Sequence, residues 1–282
     1  MRLLKRFIPR LNQRPKLGVI TGMTHATGIP KIIHQTFATS ALPPELLENQ
    51  KRLKEINPSW EYRFYEDKDI EAFISNNYSA RILDYFKRIN PAYGAARADF
   101  FRYLLVYKCG GVYLDIKSST LTSLDQVLMD DDAFVLSHWQ NKKGEEFEDW
   151  GLHSEIGTAH GEFQQWHVIA TAGHPFLKAV IENIMRNIDI YLPSLHGVGQ
   201  HGVIRLTGPI AYTEAILPLL KLHRHRIVDS KADLRLQYSI YDKFSHMKIY
   251  KKKHYTVLTE PLVNLGGAKK ALDNVLVHLK SK

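Results

Sequence analysis

Cysteine and long apolar runs are both scarce in this chain of 282 residues. Cys109 is the only cysteine in the sequence, so an intrachain disulfide is excluded and the composition fits a reducing cytosol. The longest apolar runs, such as Phe100 to Val106, are far shorter than the roughly 20 residues that a membrane span needs. The first residues, Met1–Ile8, are too short and too basic for a secretory signal. These absences predict a cytoplasmic protein.

Several motifs of other protein classes are also missing. No G-x-G-x-x-G follows the first predicted strand, which argues against a nicotinamide-dependent dehydrogenase. The fourteen histidines show none of the tight spacings, such as HExxH, that mark zinc sites. The net charge of +9 attracts polyanions, yet the sequence contains neither a recognition helix nor an aromatic RNA platform with grouped basic residues. We therefore expect no nucleic-acid partner. The charge indicates instead an anionic membrane surface or a diphosphate-bearing ligand.

The positive charge is concentrated in four clusters: Met1–Lys16, Lys221–Arg226, Lys248–His254 and Lys269–Lys282. Each cluster taken alone can be a solvated face of the protein. In Met1–Ile8, however, apolar and basic residues alternate, and a segment of that kind can lie in the headgroup layer of a membrane without spanning it. The sequence therefore predicts peripheral attachment to the inner face of a membrane.

Residue patterns predict an α/β protein in which strands and helices alternate. The predicted strands are Lys31–Phe37, Trp60–Tyr65, Val112–Ile116, Ala133–Ser137 and His167–Ala172. The predicted helices run from Pro43 to Asn57, from Lys68 to Ile74 with Asp67 as the N-cap, and over Ala80–Ile89, Ala92–Lys108, Pro175–Ile188 and Ile210–Leu219. No repeat or linker divides the chain. We therefore predict one domain, with a basic tail over residues 1–28, a core over 29–228, and a C-terminal extension over 229–282 that packs on the core.

The helix around Arg97–Tyr107 is apolar on nearly every face, which indicates that it is buried. Asp99 and Arg102 nevertheless lie on one face of it, three residues apart, and buried charges need partners. The two side chains either pair with each other as a structural bridge or face a cleft, where a ribose hydroxyl and a phosphate satisfy them. Cys109-Gly110-Gly111 then ends the helix. Asp115 lies at the carboxyl end of the next strand, the edge where α/β sheets bind ligands.

The run Ala98–Tyr103 followed by Gly110–Asp115 resembles the core signature of family 32 glycosyltransferases. That family includes Och1-like mannosyltransferases and bacterial polysaccharide-biosynthesis enzymes, with the clostridial glucosylating toxins as distant relatives. Flanking segments are similar to further landmarks of the family, in the same order: Ile29–Phe37, Asn57–Tyr62, Ala172–Phe176 and Thr207–Pro209. The resemblance covers residues 29 to 220 or so. It implies a single-domain GT-A type fold, a Rossmann-like mixed sheet flanked by helices, with a sugar-binding region of the DXD type.

By this resemblance, five residues bind a nucleotide-sugar donor linked to UDP or GDP. Phe37 matches the position where an aromatic ring stacks on the donor base, and stacking suits a planar heterocycle. Asp99 matches a position that binds sugar hydroxyls, and Arg102 matches one near the sugar or phosphate. Tyr113 is expected to lie along the nucleotide. Asp115 matches the first acid of the Asp-x-Asp motif, which contacts the ribose and the metal shell.

The motif departs from the family pattern at its second acid, where Asp115-Ile116-Lys117 has a lysine. A lysine cannot bind Mn²⁺ or Mg²⁺, which need oxygen ligands, so only Asp115 is left in the motif to contact a divalent cation. A metal held by other acids, such as Asp125 or Asp130–Asp132, has no spacing in its favour. Either the Lys117 ammonium neutralises the leaving diphosphate instead, with Asp115 and Lys117 as catalytic residues, or donor binding survives without turnover. We predict an active enzyme, with a catalytically silent nucleotide-sugar-binding protein as the alternative.

The stretch between Ser137 and Trp166 is rich in aromatic, acidic and histidine residues. Because sugars bind by aromatic stacking combined with polar contacts, this stretch is either an acceptor-binding loop or a surface insertion. The resemblance implies a hexosyltransferase that moves a sugar, with retention of configuration, to a saccharide or glycolipid acceptor. Surface polysaccharide or glycan synthesis at the cytoplasmic face of a membrane is the expected setting.

Overall fold

Six strands form one mixed sheet in a computed structural model of the chain, which describes residues 10–12, 20, 22, 23, 27–241 and 254–280. The strands are β1 (Ile32–Phe37), β2 (Glu61–Glu66), β3 (Gly111–Leu114), β5 (Phe134–Leu136), β6 (His167–Ala170) and β7 (Arg226–Ile227). Their order is β2-β1-β3-β6-β5-β7. Strand β1 is parallel to β2 and β3, whereas β6 is antiparallel to β3 and β5. A separate two-stranded sheet pairs β4 (Ser119–Thr120) with β8 (Leu236–Gln237).

Helices connect and flank these strands. They are α1 (Pro44–Ile56), α2 (Asp67–Asn77), α3 (Ala80–Arg88), α4 (Gly94–Cys109), α5 (Pro175–Ile190), α6 (Pro193–His196), α7 (Gly199–Leu206), α8 (Pro209–Ile216) and α9 (Gly267–Lys280). Helix α4 contacts β3 and β6 in the middle of the sheet, and it also packs against α5. The arrangement confirms the predicted α/β class with a mixed sheet flanked by helices.

The predicted elements are confirmed from β1 to α8, with one correction at the start of α2. Glu66, and not Asp67, is the N-cap, because β2 continues to Glu66 and Asp67 is the first helical residue. Glu66 and Asp69 form a reciprocal capping box, in which the Glu66 N–H donates to Asp69 Oδ2 at 3.0 Å. A carboxylate at either position can satisfy a free N–H of the first turn, so sequence alone favours neither.

The core lies on both faces of the sheet. On β6, Val168 and Ala170 join one apolar cluster, whereas Ile169 between them joins the other. This alternation follows from the two-residue period of a strand. Helix α4 belongs to the larger cluster, where Phe100 and Leu104 are completely buried. Because that helix is enclosed, Asp99 and Arg102 on it have to find their partners within the protein.

The Gly110-Gly111 turn connects α4 to β3 in very little space. Both residues have positive φ, 67° and 99°, which side chains rarely adopt. A Cβ atom on Gly111 would lie 2.5 Å from the Ile32 carbonyl oxygen on β1. A Cβ on Gly110 would lie 2.7 Å from the Ala172 backbone nitrogen. The glycines therefore let α4 end directly beside the strands, and they fix where Asp115 emerges at the far end of β3.

We expect Gly111→Ala to lower the free energy of unfolding by more than about 2 kcal/mol, because the substitution adds backbone strain and a clash with the backbone of β1. Gly94→Ala is the matched control: Gly94 opens α4, and nothing lies within 4 Å of its Cβ position. That substitution should be neutral or stabilising by up to roughly 1 kcal/mol. Urea unfolding of both variants measures the difference, and equal effects would contradict the prediction.

Parts of the segments predicted to flank the core contact it. The Asn12 N–H donates to Asn187 Oδ1 at 2.8 Å, and Leu262 is completely buried beyond β8. The basic segment Met1–Ile8 and all of Lys248–His254 except its last residue lie outside the described residues. The domain limits at residues 28 and 228 stay predictions.

Among the described residues, one helical stretch, Gly199–Leu222, is long and apolar enough by composition to cross a membrane. It comprises α7, α8 and a short 3₁₀ helix, and 56% of its apolar window is buried inside the protein. Leu206 and Ile210 within it are completely buried. Core helices commonly have this composition, so the stretch is weak support for a membrane span and we assign it to the core.

Candidate active site

The edge formed by the carboxyl ends of β1 and β3 carries the predicted donor residues. Asp115 follows β3 directly, and its backbone N–H donates to the Trp166 carbonyl at 2.8 Å just before antiparallel β6 begins. The Gln35 side-chain amide on β1 donates to the Asp115 carbonyl at 3.1 Å. These two contacts fix the Asp115 backbone between the neighbouring strands. Phe37, the last residue of β1, lies at the same edge and is partly exposed.

Arg102 joins two carboxylates from different elements. Its guanidinium lies 3.1 Å from Asp99 on α4 and 3.0 Å from Asp115 after β3. The Asp99 and Arg102 side chains are each 5% exposed, whereas Asp115 is 27% exposed. The Thr207 hydroxyl donates to the second Asp99 oxygen at 3.0 Å. The i,i+3 bridge is therefore formed, and the same arginine also reaches a carboxylate that opens to solvent. We call Asp99, Arg102 and Asp115 the charged triad.

Burial and pairing act against each other on these groups. Burial raises the pKa of Asp99, although the Arg102 charge and the Thr207 hydrogen bond oppose the rise. Burial also acts to lower the pKa of Arg102, but Asp115 and the other acidic neighbours outweigh it, so that this pKa is raised. Arg102 is therefore a permanent cation, and the carboxylates around it are held in a fixed geometry.

Lys117 adds a second cation to this edge. The residue is 8% exposed, and its Nζ donates to the Tyr238 hydroxyl at 2.8 Å and lies 4.0 Å from the centre of that ring. Burial lowers the pKa of Lys117, while Asp115 opposes that shift and Arg102 adds to it. The charges of Asp115 and Arg102 therefore both act on the Lys117 ammonium. Two carboxylates and two cations give the site a formal charge of zero.

Tyr113, which is expected to lie along the nucleotide, is buried in this structure. The residue is 1% exposed, and the Arg102 guanidinium lies 4.7 Å from the centre of its ring. Tyr113 therefore packs against the Arg102 guanidinium in a cation–π contact. Its donor contact and that of Phe37 stay predictions.

The residues at this edge do not fit a divalent cation. Among the residues that the structure describes, no group of three or more His, Cys, Asp or Glu side chains could hold one. The Asp115 carboxylate contacts Arg102, and the second acid of the motif is replaced by Lys117, which carries an ammonium group. Two of the other candidate acids form ion pairs elsewhere: Asp125 with Lys31 at 2.8 Å, and Asp132 with Arg226 at 2.6 Å. Hard cations need several oxygen ligands at one place, which this edge does not supply.

An aromatic cluster from the 137–166 stretch lies next to Lys117. The Trp139 ring centre is 5.1 Å from that of Tyr238, the residue that binds the lysine. Trp150 packs against Trp139 at 5.3 Å and is 38% exposed. Buried Glu162 accepts the Trp139 indole N–H at 2.8 Å. The stretch is therefore packed against the site, and Trp150 remains partly exposed there.

Sequence reasoning missed three residues of the site. Thr207 belongs to the Thr207–Pro209 landmark, but its bond to Asp99 spans 108 positions of the chain. Gln165 accepts an N–H of Arg102 with its carbonyl at 2.7 Å. Tyr238 lies 121 positions from Lys117 and belongs to no recognised motif. Only the Thr207-Gly208-Pro209 landmark offered a signal that could have located one of them.

Comparison with known proteins shows what this chain is similar to. Residues 43–134 match the family described as the glycosyltransferase sugar-binding region containing the DXD motif. Inositol phosphoceramide mannosyltransferase 3 of Schizosaccharomyces pombe is 35% identical over 103 residues, 36% of this chain and 28% of that protein. The initiation-specific alpha-1,6-mannosyltransferase of Candida albicans is 27% identical over 207 residues, 66% of this chain and 52% of that protein. The chain thus spans about half or less of the length of these curated relatives.

Two solved structures share the fold. The UDP-bound glycosyltransferase domain of the YGT toxin aligns with a TM-score of 0.52 and 10% identity, over 91% of each chain. The PaToxG glycosyltransferase aligns with a TM-score of 0.50 and 16% identity, over 89% of this chain and 86% of the other. The chain therefore has a GT-A fold, and its residues 43–134 are similar to the glycosyltransferase sugar-binding region that contains the DXD motif.

Proposed function

We propose that the protein is a hexosyltransferase that uses a UDP- or GDP-linked sugar as the donor. One observation carries the proposal: the Asp115 carboxylate, held by Arg102 at 3.0 Å, opens to solvent at the sheet edge where α/β proteins bind ligands. The curated relatives are named as mannosyltransferases, which supports mannose as the first sugar to test. The UDP named for the YGT toxin domain supports a nucleotide donor.

The acceptor we propose is a saccharide or a glycolipid. The relatives' names mention inositol phosphoceramide and a glycan initiation step, which are of these two kinds. The aromatic cluster of Trp139, Trp150 and Tyr238 offers the acceptor a stacking surface beside Lys117. In the retaining reaction implied by the family, the bond from the sugar C1 to the diphosphate oxygen breaks and a bond to the acceptor oxygen forms on the same face. The leaving diphosphate takes up the acceptor's hydroxyl proton.

We further propose that Lys117 performs the electrostatic task of the metal ion. In a DXD pair, the second carboxylate and a divalent cation together contribute one positive charge, and the Lys117 ammonium contributes the same charge by itself. The site therefore keeps the charge that a leaving diphosphate needs, without a cation-binding acid. Because Lys117 replaces the second acid of the motif, the alternative is a protein that binds the donor without cleaving it.

The inner face of a membrane is the setting we propose. The net charge of +9 favours an anionic lipid surface, and a glycolipid acceptor would lie there.

Donor cleavage tests the proposed activity. We expect the protein to bind and slowly hydrolyse one of the UDP- or GDP-hexoses, GDP-mannose included, and Asp115→Asn to lower the rate by about 100-fold or more. Asp125→Asn is the matched control, since Asp125 binds Lys31 at the opposite, N-terminal edge of β1. Donor binding without cleavage, also in the presence of candidate acceptors, would favour the silent module. No binding of any donor would contradict the proposal.

A further inference from the structure

Helix α9 exposes an apolar face to solvent. Its residues Ala268, Leu272, Val275 and Leu279 follow the i, i+4, i+7, i+11 spacing of one helical face. Leu272 is 50% exposed, Val275 is 55% exposed and Leu279 is 49% exposed. We call these four residues the α9 stripe. A helix of a water-soluble protein normally turns such a face towards the core, and here it does not.

Polar side chains, instead, attach α9 to the rest of the protein. Asp273 Oδ1 accepts the Ser194 N–H at 3.0 Å. The Lys269 ammonium donates to the Asp189 carbonyl, and the Lys280 ammonium donates to the Ser194 carbonyl. These bonds attach α9 to the α5–α6 region through side chains that are not part of the stripe. The orientation is therefore held by specific contacts, and the apolar face stays accessible.

We infer that the α9 stripe docks on an anionic lipid surface. Residues 267–282 contain four lysines and one aspartate, a net charge of 4 − 1 = +3, so the exposed apolar face lies within a basic segment. Lys269 and Lys280 also bind carbonyl groups of the protein, whereas Lys270 is exposed beside the stripe. Apolar residues beside basic ones are the composition of helices that lie in the headgroup layer, bound by apolar burial and by attraction to anionic lipid. The inference rests on the membrane setting proposed above, and it names the surface that makes the contact.

A second copy of the chain fits the stripe less well. A stable dimer interface buries roughly 800 Å² on each partner, with well-packed apolar residues at its centre. The stripe offers four side chains, and three of them are about half exposed. Lysines lie near stripe residues in the sequence, at positions 269, 270 and 280. Two such faces would bring like charges together, whereas an anionic leaflet neutralises them.

Vesicle co-sedimentation of the full chain tests the inference. We expect binding to phosphatidylcholine vesicles that contain roughly 30% phosphatidylserine, and weak binding to phosphatidylcholine alone. Leu272→Gln with Leu279→Gln should lower the constant for binding to the vesicles by about tenfold or more. The reason is that the substitutions remove two apolar side chains that would be buried between the lipid headgroups and the acyl chains. Leu47→Gln with Leu121→Gln is the matched control, because each leucine is 42% exposed and neither lies on α9. Donor hydrolysis in solution should be unchanged in both variants.

The outcomes separate the two proposals. If the native chain binds anionic vesicles and the α9 variant binds equally well, the docking surface is wrong while the membrane setting stands. If the native chain does not bind, both are wrong, although donor cleavage is unaffected. A native dimer that the α9 variant converts to monomer, without vesicle binding, assigns the stripe to self-association and overturns the inference. Deleting residues 1–14 tests the basic N-terminal segment separately.

Discussion

Arg102→Ala is expected to be among the most destabilising substitutions in this protein, lowering the free energy of unfolding by about 3–5 kcal/mol. The guanidinium is 3.1 Å from Asp99 and 3.0 Å from Asp115, and the arginine side chain is 5% exposed. Its removal leaves the Asp99 carboxylate buried without its cation, which costs far more than the loss of a surface pair. Donor affinity should fall with it, because Asp115 loses the group that holds it. Urea unfolding and donor titration measure the two effects.

Arg97→Ala provides the control on the same helix. Arg97 lies 3.0 Å from Glu71, but both side chains are more exposed, at 22% and 43%, so about 1 kcal/mol or less is expected. A third variant isolates the cause: adding Asp99→Asn to Arg102→Ala should recover part of the lost stability, since no buried carboxylate then lacks its partner. If Arg102→Ala costs no more than Arg97→Ala, the charged triad is not the buried network described above.

Much of the edge at the carboxyl ends of β1 and β3 was predictable from local sequence pattern. The apolar run of α4, the two glycines and the β-branched and aromatic residues of β3 each predict their own element, and together they place Asp115 at a strand end. The spacing of Asp99 and Arg102 predicted that they share a face, and the 3.1 Å contact confirms it. These features were predictable because they depend on residues close together in the chain.

The remaining parts of the site depend on long-range contacts. Thr207 and Tyr238 reach their partners across 108 and 121 positions, and no local periodicity encodes such pairings. The α9 stripe illustrates the same difficulty. The basic cluster at Lys269–Lys282 was visible in the sequence, but an apolar helical face ordinarily predicts burial, and only the tertiary structure shows this one exposed.

Lys117→Ala should abolish donor cleavage that persists in EDTA, with a loss of about 100-fold or more. Removal of one preorganised group that stabilises charge in a transition state has effects of that size. In native protein the ammonium lies near the carboxyl ends of β1 and β3, where the charges of Asp115 and Arg102 act on it, and it donates to the Tyr238 hydroxyl at 2.8 Å. Cleavage should therefore proceed equally well in EDTA, Mg²⁺ and Mn²⁺. Lys31→Ala controls for the loss of a lysine, because Lys31 is 59% exposed and pairs with Asp125.

Lys117→Asp makes the stronger test, because it restores the second acid of the motif. The substitution changes the charge of the site by two units and provides a second oxygen ligand beside Asp115. We expect this variant to be inactive in EDTA and to regain cleavage with Mn²⁺, since the ion then supplies the charge that the lysine had supplied. Tyr238→Phe should keep the charge but lose the 2.8 Å bond that positions it, with a smaller loss of rate. Native cleavage that requires Mn²⁺ and is indifferent to Lys117 would show that the cation is bound by other residues and that the lysine does not act on the diphosphate.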